Sequence, residues 1–102
     1  TRAVFYGDCS REDAAWAAAR LRPDPLRALR SRLVMRRPTT LPRGYIECTR
    51  DRAISIGHQR AMHGRTSFDR IITMESDHSP FLSAPAELAG HLGEMASLAE
   101  TD

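Results

Sequence analysis

Residues 44–80 read GYIECTRDRAISIGHQRAMHGRTSFDRIITMESDHSP, and the folding of this stretch decides the architecture. GYIEC (44–48), with Gly44 ahead of the apolar Tyr45, Ile46 and Cys48, reads as a short strand. TRDRAIS (49–55) is a loop, and IGHQRAMHG (56–64) is a helix that Gly64 ends. FDRIITME (68–75) is a second strand and SDHSP (76–80) a turn. Strand, helix, strand and a further helix in that order argue for a parallel α/β sheet. Both post-strand loops then emerge at the carboxyl edge of the sheet, where ligands and catalytic groups gather. Asp51 follows the first strand and His78 the second. Neighbouring strands lie about 4.8 Å apart, so a carboxylate and an imidazole on adjacent strand ends can meet. An Asp that accepts the Nδ1–H of a His fixes its tautomer and leaves Nε2 free as a base.

Towards the C-terminus, Ser83 is positioned as the N-cap of a last helix, with Pro85 tolerated in its first turn. Leu88, Leu92, Met95 and Ala99 form one apolar stripe along it. Towards the N-terminus, CSREDAAWAAARLRP (9–23) opens with Ser10 three residues before Asp13, a capping-box-like start. An Ala-rich helix should run to Leu21 and stop at Pro23 and Pro25, with Trp16 and Leu21 facing whatever it packs on. Trp16 is also a candidate for lining a substrate pocket. From Arg20 to Arg43 eight arginines face one aspartate, Asp24; Pro38 and Pro42 bracket a loop there, and Leu26, Leu29, Leu33, Val34 and Met35 keep the segment from being a plain solvated linker. Two parallel strands do not make a stable sheet alone, and each face needs a helix. The chain therefore reads as the end of a larger α/β domain.

The 102 residues allow one small domain, and 41% apolar with 27% charged residues argues against global disorder. All 15 basic residues are Arg, which a GC-rich genome would favour, and a net charge of +2 is too small to imply a nucleic-acid partner. No transmembrane stretch or signal peptide is visible, and a start at Thr1 suggests a processed, cleaved or excised chain. Cys9 and Cys48 lack CxxC spacing, so neither a disulfide framework nor a zinc site is indicated; Cys48 reads as core and the reducing cytoplasm fits. His58 and His63 stand five apart rather than three or four, which disfavours a metal; with His91 they read as surface or partly packed residues. Gln59 and Met62 read as packing.

RGYIECTRD (43–51), GHQRAM (57–62) and DHSPFLSAPAELAGHL (77–92) together resemble the C-terminal part of the α/β-hydrolase fold. They are most like the branch holding plant methyl esterases, hydroxynitrile lyases and small bacterial esterases. FYGDCSREDAAWAAARLRPDPL (5–26) is similar to the helical cap that precedes this part. The resemblance implies that residues 1–43 are part of a helical cap and connection, and that residues 44–102 are the last strands and helices of the hydrolase core. It implies that Asp51 is the acid and His78 the base of a Ser–Asp–His triad, with Ser79 and Phe81 shaping the turn and pocket wall. It implies no cofactor.

The nucleophile elbow GxSxG is not among these residues: none of Ser10, Ser31, Ser55, Ser67, Ser76, Ser79, Ser83 or Ser97 has the flanking glycines. The expected partner is therefore an N-terminal segment of the same hydrolase that carries the serine, and the expected substrate is a small ester. The lyases of this branch use a lysine directly after the triad histidine; here that position is Ser79 and the chain has no lysine, which turns the expectation to hydrolysis. The alternative is a non-catalytic, hydrolase-like module that binds an anionic partner through its Arg-rich segment.

Overall fold

The computed structural model describes residues 2–24, 26–32 and 40–100. Pro25, Leu33, Val34, Met35 and Pro38 lie outside them, as do the side chains of Leu29 and Ala99. In chain order the elements are α1 (Arg2–Phe5), α2 (Arg11–Ala18), α3 (Leu26–Arg30), β1 (Gly44–Cys48), α4 (Ile56–His63), β2 (Arg70–Met74), α5 (Pro80–Ser83), α6 (Pro85–Ala96) and a closing 3-10 turn (Ser97–Glu100).

β1 and β2 pair in parallel, Gly44 opposite Arg70 and Cys48 opposite Met74. Alternation along each strand puts Tyr45, Glu47, Ile71 and Thr73 on one face, and Gly44, Ile46, Cys48, Arg70, Ile72 and Met74 on the other. α4, the crossover, covers the first face: His63 lies against Tyr45, and Arg60 and His63 reach Glu47. α6 covers the second. Met95 sits so close over Gly44 that an added Cβ would come 2.5 Å from its Sδ, and Glu94 pairs with Arg70 at 3.1 Å. Helices thus lie on both sides of the strand pair, the arrangement a parallel sheet requires.

The N-cap expected at Ser10 forms, and a second, unforeseen one forms at Ser55. The Ser10 hydroxyl accepts the Asp13 N–H at 3.0 Å, and Ser55 accepts the His58 N–H at 3.2 Å. Several expectations are corrected. α2 ends at Ala18, short of Leu21. Its buried residue is Ala14, whereas Trp16 is 56% and Leu21 52% exposed. The Arg20 guanidinium lies 4.1 Å from the Trp16 ring centroid and donates to the Trp16 carbonyl, so this ring meets a cation rather than an apolar partner. Gly64 caps α4 at φ −75°, within the right-handed region, so its left-handed freedom is unused. α6 is preceded by Ala84, with no side-chain cap; the Ser83 hydroxyl is spent elsewhere. In the apolar stripe of α6, Leu88 and Met95 are half-buried and Leu92 is exposed.

The accessible surface is 8163 Å², against about 5,800 Å² for a close-packed protein of this size. The radius of gyration is 15.7 Å, against about 13 Å. Several large apolar side chains are left uncovered, among them Ile71 on β2 at 44%, Leu41 at 73% and Phe81 at 66%. The faces of this α/β unit are shaped to pack on more protein.

Candidate active site

Beyond the last paired residues the ladder continues into the loops: the Thr49 N–H reaches the Met74 carbonyl and the Arg50 N–H reaches the Ser76 carbonyl, both at 2.9 Å. These bonds hold the two post-strand loops side by side, so Asp51 and His78 end up in contact. The His78 Nδ1 stands 2.9 Å from Asp51 Oδ2 and 3.1 Å from Oδ1. Asp51 is nearly covered, its side chain 8% exposed, while the His78 ring is 34% exposed. Oδ1 of Asp51 also accepts the N–H groups of Ala53 and Ile54 at 2.8 and 2.9 Å, which anchors the carboxylate to its own loop. With Nδ1 turned to the carboxylate, Nε2 carries the available lone pair, and it makes no hydrogen bond among the described residues. Phe5 of α1 meets the imidazole edge-on, ring centroids 5.3 Å apart.

The other candidates fall as follows. Ser79 is 2% exposed and belongs to the backbone of the turn: its N–H donates to Asp77 and its carbonyl accepts from Leu82 and Ser83. Phe81, two residues on, points outward. Trp16 stacks with Arg20, remote in its contacts from the Asp51–His78 pair. Beside the pair opens a groove of about 580 Å³ lined by Arg2, Asp8, Arg50, Asp51 and Arg52 among others. Arg50 is engaged there by Asp8 at 3.1 Å. Two of the eight arginines of the 20–43 segment are likewise turned to neighbours, Arg20 to Trp16 and Arg43 to Phe68 and Thr66; Arg36 and Arg37 lie outside the described residues.

Both cysteines are buried, and their surroundings disfavour the reactive thiolate. Burial, reinforced by Asp77, pushes the Cys9 thiol up to about 11, and burial raises Cys48 too. Among the described residues no group of three or more His, Cys, Asp or Glu could hold a metal ion, and no helix is long and apolar enough to cross a membrane.

Three side chains carry more than the sequence indicated. Gln59, read as packing, is 3% exposed and makes three backbone hydrogen bonds: it accepts the Cys48 N–H and donates to the carbonyls of Cys48 and Ile54, at 2.8–2.9 Å. It thereby closes the outer edge of β1 just before the loop that carries Asp51. Glu47 is buried under α4 with Arg60, His63 and Thr73 as donors. Asp77, beside His78, is 1% exposed and saturated with donors. A polar residue inside an apolar strand was the available signal for Glu47; nothing local marked the other two.

No family model matches the chain. It is 32% identical over 97 residues to Methylesterase 17 of Arabidopsis thaliana, across 89% of this chain and 35% of that protein. Among solved structures it is similar to polyneuridine aldehyde esterase, with a TM-score of 0.80 and 25% identity, covering 93% of this chain and 39% of that one. A histidine-to-alanine variant of that esterase gives a TM-score of 0.78 at 24% identity, covering 92% and 39%. The chain spans about a third of the length of the curated relative it matches.

Proposed function

Given a chain that has the C-terminal portion of the α/β-hydrolase fold and is similar to the plant methylesterase branch of that superfamily, we propose that it supplies the acid and base of a Ser–Asp–His triad for carboxylic ester hydrolysis. In this reading the serine lies in a segment outside these 102 residues, and residues 1–43 contribute part of a cap. The observation that carries it is the 2.9 Å Asp51–His78 contact at the carboxyl ends of adjacent parallel strands, with Nε2 making no hydrogen bond among the described residues.

The chemistry follows from that geometry. Asp51 holds the imidazole through Nδ1 and stabilises the imidazolium that forms. His78 Nε2 takes the proton from the serine hydroxyl as its oxygen attacks the ester carbonyl, and returns it to the departing alkoxide, leaving an acyl-serine. Water then loses a proton to Nε2 as it attacks the acyl carbon, and Nε2 returns that proton to the serine oxygen as the acid departs. One ester and one water become one alcohol and one acid, and no cofactor enters. Ser79, where the lyases carry a lysine, offers only a buried hydroxyl, which supports hydrolysis over cyanide chemistry.

The test is denaturing intact-mass analysis of the natural polypeptide or polypeptides that carry these residues, after exposure to a fluorophosphonate. The expected result is one label on a serine outside residues 1–102, absent in His78→Ala. A sample that takes no label overturns the reading.

A further inference from the structure

Asp77 is a buried ionisable group that the triad chemistry does not use. Its four acceptor sites are all taken. Oδ1 accepts the Ser79 N–H at 2.9 Å and the Ser83 hydroxyl at 2.8 Å. Oδ2 accepts the Asp8 N–H at 3.0 Å and, more weakly, the Cys9 thiol at 3.5 Å. All four donors are neutral. Burial pushes the carboxyl up, but these hydrogen bonds outweigh it, and the group is held below the usual carboxylate range. A buried charge without a cation is tolerated only where its donors are fixed in place.

The two oxygens do different work. Oδ1 bridges residues 77 and 79 across His78, which sets the backbone from which the imidazole projects. Oδ2 reaches 69 residues back along the chain to Asp8. Residues 8 and 9 close a tight turn on α1, the Cys9 N–H bonding the Tyr6 carbonyl and the Tyr6 N–H the Arg2 carbonyl. α1 in turn carries Phe5 to the edge of the His78 ring. Tyr6, Cys9 and Ala14 pack together against Leu82 of α5, so the contact is backed by apolar burial. The third side is closed by Arg50, next to Asp51, which pairs with Asp8 at 3.1 Å. The segment before α2, the acid loop and the base loop thus form one ring of contacts with Asp77 at its centre.

We propose that Asp77 is a positioning residue for the base: one carboxylate fixes both the backbone under His78 and the aromatic wall beside it. The proposal rests on the triad reading of Asp51 and His78. Asp77→Asn is the sharp variant. The amide oxygen can still serve Ser79 and Ser83, but its NH₂ then faces the Asp8 N–H and the Cys9 thiol, donor against donor. The turn is kept and the N-terminal segment is released.

The test uses the intact natural polypeptide or polypeptides that carry these residues, hydrolysis of p-nitrophenyl acetate, and the nuclear Overhauser cross-peak between the Phe5 and His78 rings. Asp77→Asn should lower kcat about 100-fold, the scale of a misplacement near 1 Å, with KM little changed and the Phe5–His78 cross-peak abolished. Ser83→Ala, which removes one donor and spares the charge, should lower kcat several-fold. A folded Asp77→Asn with wild-type kcat and an undiminished cross-peak overturns the positioning role alone, provided His78→Ala is inactive. Hydrolysis that survives His78→Ala overturns the triad reading instead. If Asp77→Asn does not fold, Ser83→Ala decides: kcat equal to wild type in a folded chain sinks the proposal.

Discussion

Two carboxylate–histidine pairs hang from the same strand. Glu47 inside β1 meets His63 Nε2 at 2.9 Å, and Asp51 just beyond β1 meets His78 Nδ1 at the same distance. Distance does not separate them; surroundings do. Glu47 and His63 are covered, with side chains 6% and 12% exposed, and Arg60 and Thr73 fill the remaining acceptor sites of the carboxylate. The His63 ring is walled by Tyr45 and Phe68, with centroids at 4.9 and 6.4 Å. The carboxylate is satisfied within the chain, and the network ties α4 to the sheet. At the other pair Asp51 is covered while the His78 ring is a third exposed, and its far ring nitrogen makes no hydrogen bond among the described residues. The covered Glu–His contact ties helix to sheet, and the half-open Asp–His contact at the carboxyl edge is the one the proposed triad would use for proton transfer.

Exchanging the two histidines for alanine should break the symmetry most sharply. In the intact natural polypeptide, His78→Ala is expected to lower ester kcat by about 10⁴–10⁶ and leave the melting temperature nearly unchanged. His63→Ala should do the reverse, sparing kcat in the folded enzyme and lowering stability. Parallel kinetics and thermal melts check this, and equal falls in activity in the two variants would void the distinction.

Next in size is Glu47→Gln, which keeps the shape but removes the charge that Arg60 and His63 address. A destabilisation of about 3 kcal/mol is expected in urea unfolding, the lower range for breaking a buried pair. The acid limb of the stability curve sharpens the point. Hydrogen bonds from Arg60 and then His63 hold the Glu47 carboxyl down to about 2, from an ordinary 4.5, against the opposing effect of burial. A group with a depressed folded value stabilises fully above its unfolded value and loses that contribution as pH falls through the folded one. Stability should therefore decline between pH 4.5 and 2 in the wild type, and this slope should flatten in Glu47→Gln.

Gln59→Leu addresses what the pairs share, because Gln59 closes the edge of β1 between Glu47 and Asp51. Taking the Gln59 partner from the Cys48 amide and the Ile54 carbonyl should cost about 2 kcal/mol, with a modest fall in kcat as the loop that carries Asp51 loosens. Gly44→Ala is the control remote from both pairs: Met95 must shift, and a destabilisation of about 1 kcal/mol with unaltered kcat is expected.

Local contacts were legible in the chain from the start. A serine hydroxyl meets an amide three residues on, so Ser10 could be read as a cap, while the same geometry at Ser55 passed unread. Short apolar runs at 44–48 and 68–75 marked both strands, and their order placed Asp51 and His78 at one edge. The same local logic failed where a side chain had a stronger distant partner. Ser83 is well spaced to cap α6, yet its hydroxyl goes to Asp77. Trp16 has the size of a core residue, yet Arg20, one turn away, claims it at the surface.

By itself the sequence determined the strand–helix–strand order, the Ser10 cap, and the presence of an aspartate and a histidine on adjacent strand ends, because spacing along the chain sets all of these. Only the tertiary structure decided which carboxylate–histidine pair stays open, and that Gln59 closes a strand edge. It also decided that Asp77 gathers donors from residues 8 and 9, 69 and 68 positions away. Partners that far apart are chosen by which surfaces the fold brings together, and no periodicity encodes that choice.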